Sequence, residues 1–151
     1  MTDKIFSHAY IWMCQHNQSD SNPYHNNKHI LLVFQNCMEL FDIYKKEYGL
    51  KSGDKVNLGI AAIFHDFNHS GGKLKDNDNI MLALKGLKEY LHEEDMMDRY
   101  EEIASIIEAT EFPHKDIDLD ILQMIIRDAD TMGGHSWKRK SIYEYSNFIG
   151  C

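Results

Sequence analysis

Proline occurs only twice in the 151 residues, at positions 23 and 113, so most of the chain lacks the residue that breaks helices from within. Cysteine is scarce as well. Cys14, Cys37 and Cys151 are odd in number and none stands in CxxC spacing, which disfavours a thiolate zinc site and points to free thiols in a reducing compartment. No segment approaches the roughly 20 apolar residues that a membrane span needs. The N-terminus lacks the basic stretch and unbroken apolar run of a signal peptide, so a cytoplasmic protein with no membrane partner is expected. A surplus of basic residues is also missing. The formal net charge of −8 disfavours broad affinity for long nucleic acid. It leaves room for a small anionic molecule held at a locally positive metal centre.

What the chain does have is helical periodicity. Ile30, Phe34, Cys37, Phe41, Tyr44 and Tyr48 step by four and three, which predicts one apolar stripe on a helix. Ile80, Leu84, Leu87 and Leu91 repeat the pattern, as do Tyr100, Ile103, Ile107 and Thr110. Val56 to Phe67 is apolar on most sides, the mark of a helix at the centre of a bundle. Helices near 3–17 and 135–147 complete the set. Ser21-Asn22-Pro23, Gly49, Ser52-Gly53, Ser70-Gly71-Gly72, Glu111-Phe112-Pro113 and Gly133-Gly134 punctuate them, and Asp76 or Asp78 is placed to cap the fourth. No alternating strand pattern of useful length and no linker occurs. The expectation is one all-α domain over residues 1–151, a bundle of about six to seven helices.

The chemistry gathers in three segments. His65-Asp66 and His69 close the apolar third helix, where packing gives no reason for two imidazoles and a carboxylate. His25 and His29 are four apart, so a continuing helix would put both on one face, either as joint ligands or as one ligand and one proton donor. Asp130 ends another apolar helix and offers a further oxygen ligand, with Asp128 as its competitor. Each residue alone has an ordinary explanation as a surface or turn residue; together they read as one metal site. Imidazoles with carboxylates and no thiolates suit Zn, Mn, Fe, Ni or Co better than calcium. One or two divalent ions are expected, Mg included. His8, His16, His92 and His135 lack ligand-like spacing and read as surface residues, and Lys138-Arg139-Lys140 reads as a solvated face. The Met96-Met97 pair reads as core.

His29, the His65-Asp66 doublet and Asp130 resemble, in order and helical context, the H…HD…D signature of the HD-domain metal-dependent phosphohydrolases. Tyr24-His25-Asn26-x-x-His29, His65-Asp66-x-x-His69-x-Gly71 and Ala109-Thr110-Glu111 followed by His114 are similar to motifs of the cyclic-nucleotide phosphodiesterase branch. Ser70 stands where that branch has a proline. Residues 1–151 do not include the long C-terminal part that reads the base there, so the resemblance implies no base specificity. The HDxxED and GYP motifs of two other branches are absent.

The resemblance implies His29, His65, Asp66 and Asp130 as metal ligands, with Asp66 bridging where two ions bind. It also implies His25 as the acid that protonates the leaving oxygen, and His69 as a catalytic neighbour of the ions. Asn79 and His114 are candidates for contact with substrate, and Asp76, Asp78 and Asn79 either line the site or merely start the fourth helix. The expected activity is hydrolysis of a phosphoester of a small nucleotide, cyclic nucleotides and other phosphodiesters included. A 5′-nucleotidase, a nucleoside-triphosphate hydrolase and a non-catalytic nucleotide-binding domain are the alternatives.

Overall fold

The computed structural model describes residues 2–114 and 118–132. The helix expected near 135–147, with His135 and Lys138-Arg139-Lys140, lies outside them. Among the described residues the chain is all-α: α1 (Thr2–His16), α2 (Asn27–Tyr44), α3 (Ser52–Phe64), α4 (Asp76–Glu93), α5 (Tyr100–Glu108, entered through a single 3-10 turn, Met97–Arg99) and α6 (Ile121–Met132).

The apolar third helix takes the central place its composition predicts. α3 packs against each of the other five, and Val56 to Phe64 are buried without interruption. Two glycines let neighbours approach closely. A Cβ on Gly59 would lie 2.2 Å from the Phe6 ring, and one on Gly86 would lie 2.3 Å from that of Phe67. Beneath the end of α3, Trp12, Phe64, Phe67 and Tyr90 form an aromatic cluster with ring centroids 5.3–5.9 Å apart. The Trp12 indole N–H donates to Glu93 at 2.7 Å, so the one polar atom of that ring is paired.

Several helix ends differ from expectation, each for a local reason. α2 stops at Tyr44 because the Leu50 N–H returns to the Lys45 carbonyl at 2.8 Å across Gly49, whose φ is +62°. Tyr48 is thereby left exposed. α4 starts after Lys75, so neither Asp76 nor Asp78 is its cap; both lie in its first turn. α5 ends at Glu108, yet Thr110 stays buried with its hydroxyl donating to the Ile107 carbonyl at 2.7 Å. Met97 is exposed and only Met96 packs on the core. Cys37 is a free, buried thiol, whereas Cys14 is disulfide-bonded against the expectation of free thiols throughout. No helix among the described residues is long and apolar enough to cross a membrane.

Candidate metal centre

α3 ends earlier than its apolar run, and that early end shapes the site. Its last helical residue is Phe64, and 65–68 form a turn. Asn68 takes a left-handed conformation at φ 56°, which asparagine tolerates better than most residues. Asn17 from beyond α1 holds it there, its Oδ1 accepting the Asn68 N–H at 2.9 Å. His65, the C-cap, keeps a helical backbone at φ −58° and ψ −31°, and its ring and the Asp66 carboxylate each bring a ligand atom into one cluster just past the last turn.

The upstream histidines are also not on one helix. Asn22 Oδ1 accepts the N–H groups of both Tyr24 and His25 at 3.0 Å, an Asx turn that holds this stretch out of the helix. Asn26 then caps α2, accepting the His29 N–H at 3.0 Å. His29 thus sits in the first turn of α2 while His25 precedes it, and their rings meet edge to face at 79°. The shared helical face expected from their spacing is replaced by two distinct positions.

α6 supplies Asp130. Asp128, two residues earlier and roughly 200° around the helix, is exposed, which decides between the two. One ligand atom from each of His29, His65, Asp66 and Asp130 lies within 4.8 Å of every other. His29 Nε2 is 3.1 Å from Asp130 and 3.2 Å from Asp66, and His65 Nε2 is 3.5 and 3.6 Å from the same two carboxylates. Ligands about 2.1 Å from one ion stand roughly 3 to 4 Å apart, so these spacings suit a single cation among them.

The decisive atom is His65 Nε2. The ring's Nδ1 donates to the Ala62 carbonyl at 2.6 Å, so in the neutral ring Nε2 is the lone-pair nitrogen, facing inward. That nitrogen is fully buried and has no hydrogen-bond partner. A buried polar atom in that state is costly, and a cation is the partner its chemistry fits. The buried group of His29, His65, Asp66 and Asp130 could hold a metal ion.

The charges are strongly coupled. Burial alone would keep the His65 ring neutral, but Asp66 and Asp130 outweigh it and push its pKa up to about 9. The same contest raises His29, where burial opposes Asp130 and Asp66. Burial would raise the two carboxylates, yet the facing histidines hold Asp66 well below the usual carboxylate range and lower Asp130 too.

A second group, His25, Asp66 and His69, also converges. His25 Nδ1 lies 2.6 Å from Asp66 Oδ2. The His25 ring stacks on that of His69, with centroids 3.5 Å apart and planes within 10°. His69 Nδ1 accepts the Gly71 N–H at 3.0 Å, so in the neutral ring the proton sits on Nε2, which faces Asp76 at 3.7 Å. Burial lowers the His69 pKa and favours that neutral ring. With one nitrogen accepting and the other protonated, His69 supports His25 instead of offering a lone pair to an ion.

No family model, curated protein or solved structure matches the chain. The site is thus characterised by its own geometry. Asn79 is buried beside it and accepts the Ser70 N–H at 2.8 Å. His114 is exposed, set against the Phe112 ring and outside the cavity lining. Asn17, Asn22, Asn68 and Asp76, which build the site, carry no ligand motif; the only sequence signals were an Asn-Pro break at position 22 and an acidic start to α4.

Proposed function

We propose that this chain is a metal-dependent phosphohydrolase of the HD-domain type, acting on a phosphoester of a small molecule of the nucleotide class. One observation carries the reading: the buried His65 Nε2, without a hydrogen-bond partner, converging with His29, Asp66 and Asp130. The order of these residues along the chain supports it, as does the resemblance of the surrounding motifs.

A divalent cation held by His29, His65, Asp66 and Asp130 would supply positive charge against a phosphoryl group and acidify water near neutral pH. The protein's own residues divide the remaining work. His25 points Nδ1 at Asp66, so Nε2 is the nitrogen left to carry a proton to a leaving-group oxygen in the cavity that His25 lines. Stacking on His69 limits the tilt of that ring. Asp66 Oδ2, which meets His25 Nδ1, also faces His29 at 3.2 Å, so this carboxylate would serve both as ligand and as orienter of the acid. A binding-only protein would have no use for an imidazole poised in this way.

The test is a screen of cyclic nucleotides, nucleoside mono- and triphosphates and cyclic dinucleotides with added Mn²⁺, Ni²⁺ or Zn²⁺, products being identified by mass. Release of phosphate or a nucleotide that disappears in a His65→Ala/Asp66→Ala variant is expected. A metal-loaded, folded protein that turns over none of these would defeat the proposal.

A further inference from the structure

Past the ligand cluster the site widens. An inner chamber of about 70 Å³ is bounded by His65, Asp66, Asp130 and Thr110. An outer one of about 600 Å³ falls within the range of small-molecule sites. His25, His69, Asp76, Asn79 and Phe112 line both.

The outer walls are of two kinds. Pro23, Tyr24, Leu74 and Phe112 present rings and apolar surface, and the last is 70% exposed. An aromatic face so open to water gains from being covered by another ring. The charged wall is Asp76. Its carboxylate is held at both ends, one oxygen accepting the Phe112 N–H and the other facing His69 Nε2 at 3.7 Å. No lysine or arginine is among the described residues that line either chamber. Lys73 and Lys75 flank Leu74 but are exposed and line neither. The N-terminus of α4 does not serve as an anion site, because Asp76 and Asp78 already occupy its first turn.

We infer that the site takes phosphate esters with one phosphoryl group and an uncharged, ring-bearing substituent, and that Asp76 turns nucleoside di- and triphosphates away. The inference rests on the phosphohydrolase reading for the seat of the reacting phosphoryl group. A single phosphoryl group would meet the histidines of the inner chamber and a cation held by His65, Asp66 and Asp130 there. Asp76 borders both chambers; on the inner side a bound cation would offset its charge, whereas a second or third phosphoryl group extends into the outer chamber, where no described cation does.

Binding of adenosine 5′-(methyl phosphate), ATP and dimethyl phosphate to the Mn²⁺-supplemented protein, by calorimetry, tests this. The wild type should bind the adenosine ester more tightly than either of the others. Asp76→Asn keeps an acceptor for the Phe112 N–H but removes the charge, and should narrow the gap between the ester and ATP by roughly tenfold. Chelation of Mn²⁺ by ATP is common to both proteins and drops out of that comparison. ATP binding as tightly as the ester in the wild type would overturn the inference, whatever the variant does. So would an unchanged gap in a folded Asp76→Asn protein, or dimethyl phosphate binding as well as the ring-bearing ester. If the preference holds but neither ester is ever hydrolysed, the inference stands and the phosphohydrolase reading falls; hydrolysis of both ester and ATP without preference would do the reverse.

Discussion

His25 lies flat against His69, their ring centroids 3.5 Å apart, while its Nδ1 reaches Asp66 at 2.6 Å. The ring is thus held by a face contact and an edge contact at once. It borders the ligand cluster without belonging to it, and that difference can be measured. His25→Ala should keep near-normal metal content and fold. Its turnover of an ester with a poor leaving group should drop by roughly 10²–10⁴-fold, the usual worth of a positioned acid. The drop should be smaller for p-nitrophenolate, which needs little protonation. His29→Ala should lose metal and activity together, and a His25→Ala protein equally poor in metal would remove the acid role.

Metal content separates the ligands from their supports. Asp66→Ala and His65→Ala should abolish stoichiometric uptake of Mn²⁺, Ni²⁺ or Zn²⁺ as read by elemental analysis. His69→Ala leaves the ligand atoms in place and should weaken affinity by at most about 100-fold, as loss of a supporting contact does. Equal metal in the wild type and a His65→Ala/Asp66→Ala double variant would refute the ligand assignment.

Acidity offers an independent test. The raised His65 pKa, about 9 against an ordinary 6.5, means the metal-free fold gains stability from the charged ring below pH 6.5. That gain is lost as pH rises through about 9. Asp66 and Asp130 are depressed from 3.8, so their contribution is present above that pH and lost as pH falls below it. Metal-free protein should therefore be most heat-resistant between about pH 4 and 6.5. A cation must displace the His65 proton, so the rise in Tm on adding metal should grow from pH 6.5 to 9, with measurable proton release. A metal-induced rise in Tm that is flat with pH would count against this coupling.

Gly86→Ala tests the packing under the site. Its new Cβ would lie 2.3 Å from the Phe67 ring, and Phe67 follows the ligand Asp66 directly in the chain. Overpacking of this kind costs about 1–3 kcal/mol, which for a domain of this size lowers Tm by roughly 2–12 °C. A thermal melt with no loss would show that the ring yields without strain.

The helical architecture is legible in the sequence because burial imposes the period. The stripes of α2, α4 and α5 face the core as their spacing demands, and an all-round apolar α3 has nowhere to go but the centre. The ligand candidates are legible too, since imidazoles and carboxylates at the end of apolar helices have few structural excuses. The outline of the site is not. The turn that follows α3 is tied down by a hydrogen bond from the Asn68 N–H to Asn17, 51 residues away. The position of His25 depends on an Asx turn at Asn22, and spacing alone puts it on the helix with His29. Asp76 reads from sequence as a start to the fourth helix or as a wall of the site, and which side chains claim its carboxylate, Phe112 and His69 from two other loops, is not legible there. Short-range pattern cannot encode which distant loop will claim a side chain.

His29 and Asp130 meet although they stand 101 positions apart in the chain, while His65 and Asp66 come from within that span. During synthesis the first three of these residues are made long before the fourth, and they cannot form the full cluster until α6 has docked beside α2. Tight metal capture would thereby be a late event that marks a finished fold. The ion would act as a clasp between early and late portions of the chain, resisting the peeling away of the last described helix.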